Sequence, residues 1–343
     1  MPDSTSVPHW ASACPPVLVT SRFMYFPYLW CRQEEALAIV ELATAGLLAE
    51  TTVPIFVPVD TKPSTESRIE KILAGGGRIA LVVNSASGRP APKHEDVKKM
   101  LAGKKIAPHA SSVFPAFELR GGMALGELQT FAGGFTSGPL VVVHRDHTHS
   151  AADVNTALGS AVSRSVHIFV GRTVGTHTGL AGLGTVLLRD DFQHRAPNGA
   201  YPNASQFGDL VFQYRALGHK GFGDFATVGD RPPTTGGGAA KHVALHLTYP
   251  AQGSTIHCQH FVSGPPGTKG DTATKYLHAL AKLTAATGSP PTGVWSTLGS
   301  QGFASSHTRS HFPGLGQPKR WSIMHHIEIT QRIMTAASAR AFI

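Results

Sequence analysis

Short apolar runs alternate with longer amphipathic ones along the first half of the chain. Seven runs rich in β-branched and aromatic residues read as strands: Tyr25–Leu29, Val53–Val59, Ile79–Asn84, Val113–Leu119, Leu140–His144, His167–Val170 and Thr185–Leu188. Counted start to start, the first five intervals are 28, 26, 34, 27 and 27 residues. The runs are continuous rather than alternating, as in parallel strands covered on both faces. Between the first two lies Gln33–Leu48, with apolar positions 36, 37, 39, 40, 42 and 43 forming a helix-period stripe. Thr65–Leu73, His94–Leu101, Met123–Phe131 and Ala151–Val162 take the same place between later strands. Strand and helix in strict succession predict βαβ units. Their number favours a (β/α)8 TIM-barrel-like fold over an open sheet. Neither G-x-G-x-x-G nor G-x-x-x-x-G-K-[ST] follows the first strand, so a dinucleotide or P-loop fold lacks its main mark.

The beat breaks after Leu188. Residues 190–240 read as loop, with Gly236-Gly237-Gly238 at the tip. Val243–Tyr249 and Ile256–Val262 then predict a β-hairpin around Ala251-Gln252-Gly253-Ser254, and Ala273–Leu283 and Ile323–Thr335 predict closing helices. The expected organisation is one barrel-like domain over 24–343, with a C-terminal elaboration of hairpin and helices from about 240. Residues 1–23 are expected to be a disordered extension or the product of a misplaced start, with Met24 the alternative.

Composition narrows the class. The chain has 343 residues, 41% of them hydrophobic and only 15% charged, which is a globular balance. The longest apolar runs, such as Ile79–Val83, fall far short of the ~20 residues of a membrane span. The N-terminus carries Asp3 and Pro15-Pro16 and no basic stretch before an apolar one, unlike a secretory signal. Cys14, Cys31 and Cys258 show neither C-x-x-C spacing nor an even count. A cytoplasmic, membrane-free protein is therefore expected. The net charge of +9 is spread thinly, with no block of five basic residues, so it gives weak attraction to polyanions and no defined nucleic-acid groove.

Several motifs carry a resemblance. The run Met24-Tyr25-Phe26-Pro27-Tyr28-Leu29 is followed by Gln33-Glu34, Pro54-Ile55 and Pro58-Val59. Later come Arg189-Asp190, Tyr201-Pro202, Gly221-Phe222-Gly223-Asp224-Phe225 with Val228-Gly229-Asp230, His260-Phe261-Val262-Ser263, and His311-Phe312-Pro313-Gly314-Leu315-Gly316 with Lys319, Ser322, His325-His326 and Glu328. In this order, over about 24–330, the chain resembles an uncharacterised bacterial family related to the phage-named "beta protein" group. The resemblance implies no established reaction. It implies a place in mobile or anti-phage defence cassettes, beside a restriction-nuclease-like partner protein. Arg231 stands where that family often carries an acidic residue.

Catalytic groups of a barrel sit where its strands end. Here those positions hold Asp60, Asn84, Glu118, His144-Arg145-Asp146, Arg172 and Arg189-Asp190-Asp191. Carboxylates and imidazoles that hold a divalent ion such as Mg²⁺ or Mn²⁺, beside an arginine fork for phosphate, suit a phosphoester hydrolase. Asp190 and Asp224 are the candidate metal ligands or general base, His144 or His260 the proton shuttle, and Arg189, Arg172 and Lys319 the anion contacts. Asp209, Asp224 and Asp230 also suit simple turn closure. On the hairpin, His242 and His246 share a face, whereas His257 and His260 point to opposite faces. Of His325-His326, a helix should turn only one inward.

Two functions stand as expectations. One is a metal-assisted phosphoester hydrolase or nucleic-acid-processing enzyme. The other is a non-catalytic subunit that recognises a nuclease-like partner or nucleic acid. Convergence of Arg189, Asp190, Asp224 and a histidine in one pocket favours the first, and their dispersal favours the second.

Overall fold

The computed structural model describes residues 24–88, 90–146, 148–171, 178–232, 241–264 and 271–340. In chain order the strands are β1 (Met24–Leu29), β2 (Ile55–Phe56), β3 (Ile79–Val82), β4 (Val113–Leu119), β5 (Leu140–His144), β6 (Ser165–Val170), β7 (Gly184–Arg189), β8 (Ala204–Gly208), β9 (Gly221–Asp224), β10 (Ala244–Ala251) and β11 (Thr255–Val262). The helices are α1 (Gln33–Thr44), α2 (Pro63–Ala74), α3 (His94–Leu101), α4 (Leu125–Gly134), α5 (Ala151–Leu158), α6 (Leu210–Gln213), α7 (Thr272–Thr287), α8 (Leu298–Thr308) and α9 (Gly316–Arg340).

Strands β1 to β7 and β9 close into an eight-stranded parallel barrel in the order β1-β2-β3-β4-β5-β6-β7-β9. All seven expected strands are present. The second is shorter than its apolar run, because Pro54 and Pro58 offer no N–H to a ladder. Its pairing contracts to Ile55 and Phe56, against Tyr28 and Leu29 on one side and Ala80 and Leu81 on the other.

The eighth strand lies inside the stretch that reads as loop. Gly221–Asp224 bonds to β7 and β1 and shuts the barrel. Its inward positions are glycines, and a Cβ on Gly223 would meet the Phe26 carbonyl oxygen at 2.3 Å and Leu188 Cδ1 at 2.8 Å. The interior has no room for a side chain there, so the strand carries no apolar run.

The elaboration also begins earlier than residue 240. Strand β8, spliced between barrel strands β7 and β9, joins the hairpin in an antiparallel sheet of order β10-β11-β8. Helix α9 packs against α1, α8 and β10, taking the place an eighth barrel helix would occupy. Trp321 through Gln331 is buried without a break, so both His325 and His326 are enclosed. The expectation that only one turns inward assumes a surface helix, and α9 is buried on every side from Trp321 to Gln331. Three ion pairs fasten it to α1: Lys319 Nζ to Glu35 Oε1 at 2.6 Å, and Arg320 to both Glu34 and Glu41. Among the described residues, no helix is long and apolar enough to cross a membrane.

Side chains alternate along each barrel strand between interior and helix layer. Phe26 and Tyr28, Ala116, Val141 and Val143, Val166 and Ile168, and Val186 and Leu188 fill the interior. Tyr25, Leu81, Phe117, Val142, Phe169, Leu187 and Phe222 face the helices. That parity decides which strand-end residues reach the mouth.

Candidate active site

Carried one step past the apolar core, the inward parity brings Trp30, Asn84, Glu118, Arg145 and Asp190 to the carboxyl-terminal mouth. At its centre is Glu118, only 2% exposed. One carboxylate oxygen takes Nε of Arg145 at 3.0 Å and the Tyr28 hydroxyl, and the other takes Arg120. Arg145 also donates to Asp230 Oδ2 at 2.6 Å and to the Tyr28 oxygen at 2.5 Å, and its guanidinium lies 4.7 Å from the Tyr28 ring centroid. Burial works against the Arg145 charge, but Tyr28, Glu118 and Asp230 more than offset it, and its pKa stands above the ordinary value. Asn84 clamps the Glu118 backbone from both sides, N–H and C=O, at 2.8 Å each.

Asp190 lies beside this network. Its oxygens accept the backbone N–H of Phe192 at 3.2 Å and of Asp230 at 2.9 Å. Burial raises its pKa, and these two donors offset only part of the rise. A carboxyl so placed carries a proton more readily than a solvated aspartate.

Two donors near the mouth are buried and, among the described residues, have no partner: Trp30 Nε1 and Thr227 Oγ1. Thr227 lines a cleft of about 200 Å³ between the mouth and the small sheet, walled also by His242, His246, Leu315, Pro318 and Lys319. Cleft and mouth are joined through Glu35. One of its oxygens takes the Lys319 ammonium, and the other accepts the Trp30 backbone N–H at 2.8 Å.

The remaining sequence candidates lie elsewhere. His144 has the opposite parity from Arg145, so it faces the helices, bonded to His167 at 3.0 Å and stacked on Phe169 at 4.5 Å. Arg189 faces out too, holding Asp191 at 2.5 Å and Asp209 at 2.6 Å. Asp224, also outward, accepts from the Tyr25 hydroxyl at 3.0 Å, from Ala226 N at 2.8 Å and from His326 Nε2 at 3.1 Å. Its bond to Ala226 N is the turn closure its glycine frame suggested, and it holds Ala226 at φ 45°, a left-handed conformation unfavourable for alanine. His326 in turn meets the Thr248 hydroxyl at 3.0 Å, tying β9, α9 and β10 together. His260 sits on β11, with Nε2 at 2.8 Å from Ser205 Oγ and Nδ1 at 2.8 Å from His246 Nδ1. Arg172 and His147 lie outside the described residues.

Asp190 and Asp224 therefore lie on opposite faces of the barrel wall and share no site. Of the chosen set, Asp190 reaches the mouth and Lys319 the adjoining cleft. Glu118 and Arg145 stand among the strand-end positions, and Asp230 among the turn aspartates, that the sequence offers without a role, whereas Tyr28 and Trp30 carry no signal of a site at all. The available signal was parity: with Val141 and Val143 inward, Arg145 follows and His144 does not. No family model, curated protein or solved structure matches the chain.

Proposed function

We propose that this barrel is an enzyme that hydrolyses a phosphoester or a similar oxyanion-bearing substrate at its carboxyl-terminal mouth. The observation that carries the reading is the buried Trp30 Nε1, which has no partner among the described residues. An indole N–H only donates, and burying a donor without an acceptor costs ~1–3 kcal/mol, a cost that a substrate oxygen removes. Thr227 Oγ1 adds a second donor and Lys319 a positive charge on the cleft wall. Asp190, poised by burial to take a proton, is the general base that draws a proton from the attacking water. Glu118, Arg145 and Tyr28 fix the floor beneath it. A Mg²⁺ or Mn²⁺ ion at the mouth would rest on Asp190, whose Oδ2 accepts the Asp230 backbone N–H while the Asp230 carboxylate is held by Arg145, and Asp224 has no part in it.

A second reading is favoured by the dispersal of Arg189, Asp224, His144 and His260. In it the same mouth recognises a nuclease-like partner or a nucleic-acid phosphate without chemistry, as the family resemblance implies. Hydrolysis of chromogenic phosphomonoesters and phosphodiesters separates the two, run with EDTA, Mg²⁺ or Mn²⁺. Turnover by the wild type, lost in a folded Asp190→Asn variant, supports the enzyme. No turnover under any of these conditions, or full activity in Asp190→Asn, removes it.

A further inference from the structure

Three potential metal donors meet on one face of the small sheet, away from the mouth network. His246 on β10 stands directly opposite His260 on β11, and Cys258 precedes His260 by two residues and so shares its face. One donor atom from each of the three residues lies within 4.8 Å of the other two. The two Nδ1 atoms are 2.8 Å apart, and Sγ is 3.8 Å from His260 Nδ1. Among the described residues this is the one such group of three.

We propose that His246, Cys258 and His260 form a transition-metal site of the zinc class. Imidazole and thiolate are the donors that a borderline-soft divalent ion takes. A tetrahedral ion with bonds of about 2.0–2.3 Å sets its donors roughly 3.3–3.7 Å apart. The imidazoles would open by about half an ångström from their hydrogen-bonded separation, and the sulfur already stands at nearly the right distance.

The surroundings fit a bound ion. Ser205 Oγ meets His260 Nε2 at 2.8 Å, the outer-shell bond that fixes a ligand histidine with its Nδ1 lone pair facing the metal. Tyr201 stacks on His260, with its ring centroid 4.7 Å from each imidazole, and shields the site. His246 also lines the 200 Å³ cleft, which gives water or a ligand a path to a fourth coordination position.

The proton balance is simple. Without metal, one imidazole Nδ1–H bonds to the other Nδ1. On binding, that histidine moves its proton to Nε2, the Cys258 thiol loses its proton to solvent, and a metal–thiolate bond forms. One proton is released per ion.

The test uses the full chain, dialysed against EDTA and titrated with Co²⁺ and then Zn²⁺. The site predicts one ion per chain, one proton released, and a near-ultraviolet thiolate-to-cobalt band with strong visible d–d bands that Zn²⁺ abolishes. Cys258→Ser loses the charge-transfer band, and the band survives in Cys14→Ser/Cys31→Ala, where Cys258 is the sole thiol. The second variant keeps the test decisive if Cys258→Ser fails to fold. Absence of stoichiometric binding, or a band that persists in Cys258→Ser, overturns the proposal. The readouts are metal binding and spectra, not turnover, so the outcome is separable from the mouth chemistry although His246 also walls the adjoining cleft.

Discussion

At the barrel mouth Arg145 bonds to Glu118 of the neighbouring strand β4 at 3.0 Å, and neither charge stands alone, since Tyr28, Arg120 and Asp230 complete the network. Removing one member of such a buried set strands its partners in low dielectric, at a cost of about 3–5 kcal/mol. Glu118→Ala is expected to destabilise the protein by that amount in urea titration. Glu118→Ala with Arg145→Ala should cost clearly less than the two single losses added together. Additive losses would mean that the pair is not coupled.

Asp224, a candidate for the catalytic machinery from sequence, holds the fold together through Tyr25, Ala226 and His326. Asp224→Ala leaves these groups without their acceptor, and a loss of about 2–4 kcal/mol is expected, with Trp30 and the mouth untouched. Thermal unfolding measures the first part. An unchanged near-ultraviolet signal from the folded variant at low temperature checks the second.

Gly223 has no space for a Cβ between Phe26 and Leu188. Gly223→Ala should cost about 1–3 kcal/mol as an overpacked barrel core. A neutral substitution would show that the barrel seam between β7, β9 and β1 is looser than described.

Stability should depend on acid in a defined direction. Burial pushes His325 down to about 3 and His167 down to about 4, against 6.5 in an unfolded chain. Between pH 6.5 and those values the unfolded chain binds more protons, so stability falls as the pH falls. Each histidine contributes a loss of roughly 3 kcal/mol by pH 4.5. Asp191 acts the other way. Burial lifts it to about 6, so the folded form binds the extra proton between 3.8 and 6, and stability rises on acidification there. Melting temperature against pH should therefore be flatter for His325→Gln and steeper for Asp191→Asn. The opposite pair of slopes would refute both assignments.

The barrel was legible because apolar runs at a steady interval report strands covered on both faces, and seven of eight strands obey that rule. The eighth was hidden for a packing reason: its inward residues are Gly221 and Gly223, which leave no apolar trace. The site was legible in its location but not in its members. Strand ends were the right place to look, but adjacent residues there point in opposite directions. Choosing His144 over Arg145, and Arg189 together with Asp190, mixed the two faces. The metal-ligating triad was obscured by one residue of hairpin register. A four-residue loop over 251–254 would set His246 opposite Gln259. The actual pairing of Ala251 with Thr255 leaves a three-residue loop, with Gly253 and Ser254 both at positive φ, and sets His246 opposite His260. Nothing local in the sequence fixes such a choice.

The central claim is that an oxyanion of the substrate accepts the Trp30 indole N–H. The chain has four tryptophans, so a proton–nitrogen correlation spectrum offers at most four indole signals, and Trp30→Phe identifies the relevant one. Titration with inorganic phosphate and then phenyl phosphate should move the Trp30 signal in a saturable way and leave Trp321, buried between α8 and α9, in place. A Trp30 signal that stays fixed up to high ligand concentration, or that moves only together with all the others, would contradict the account.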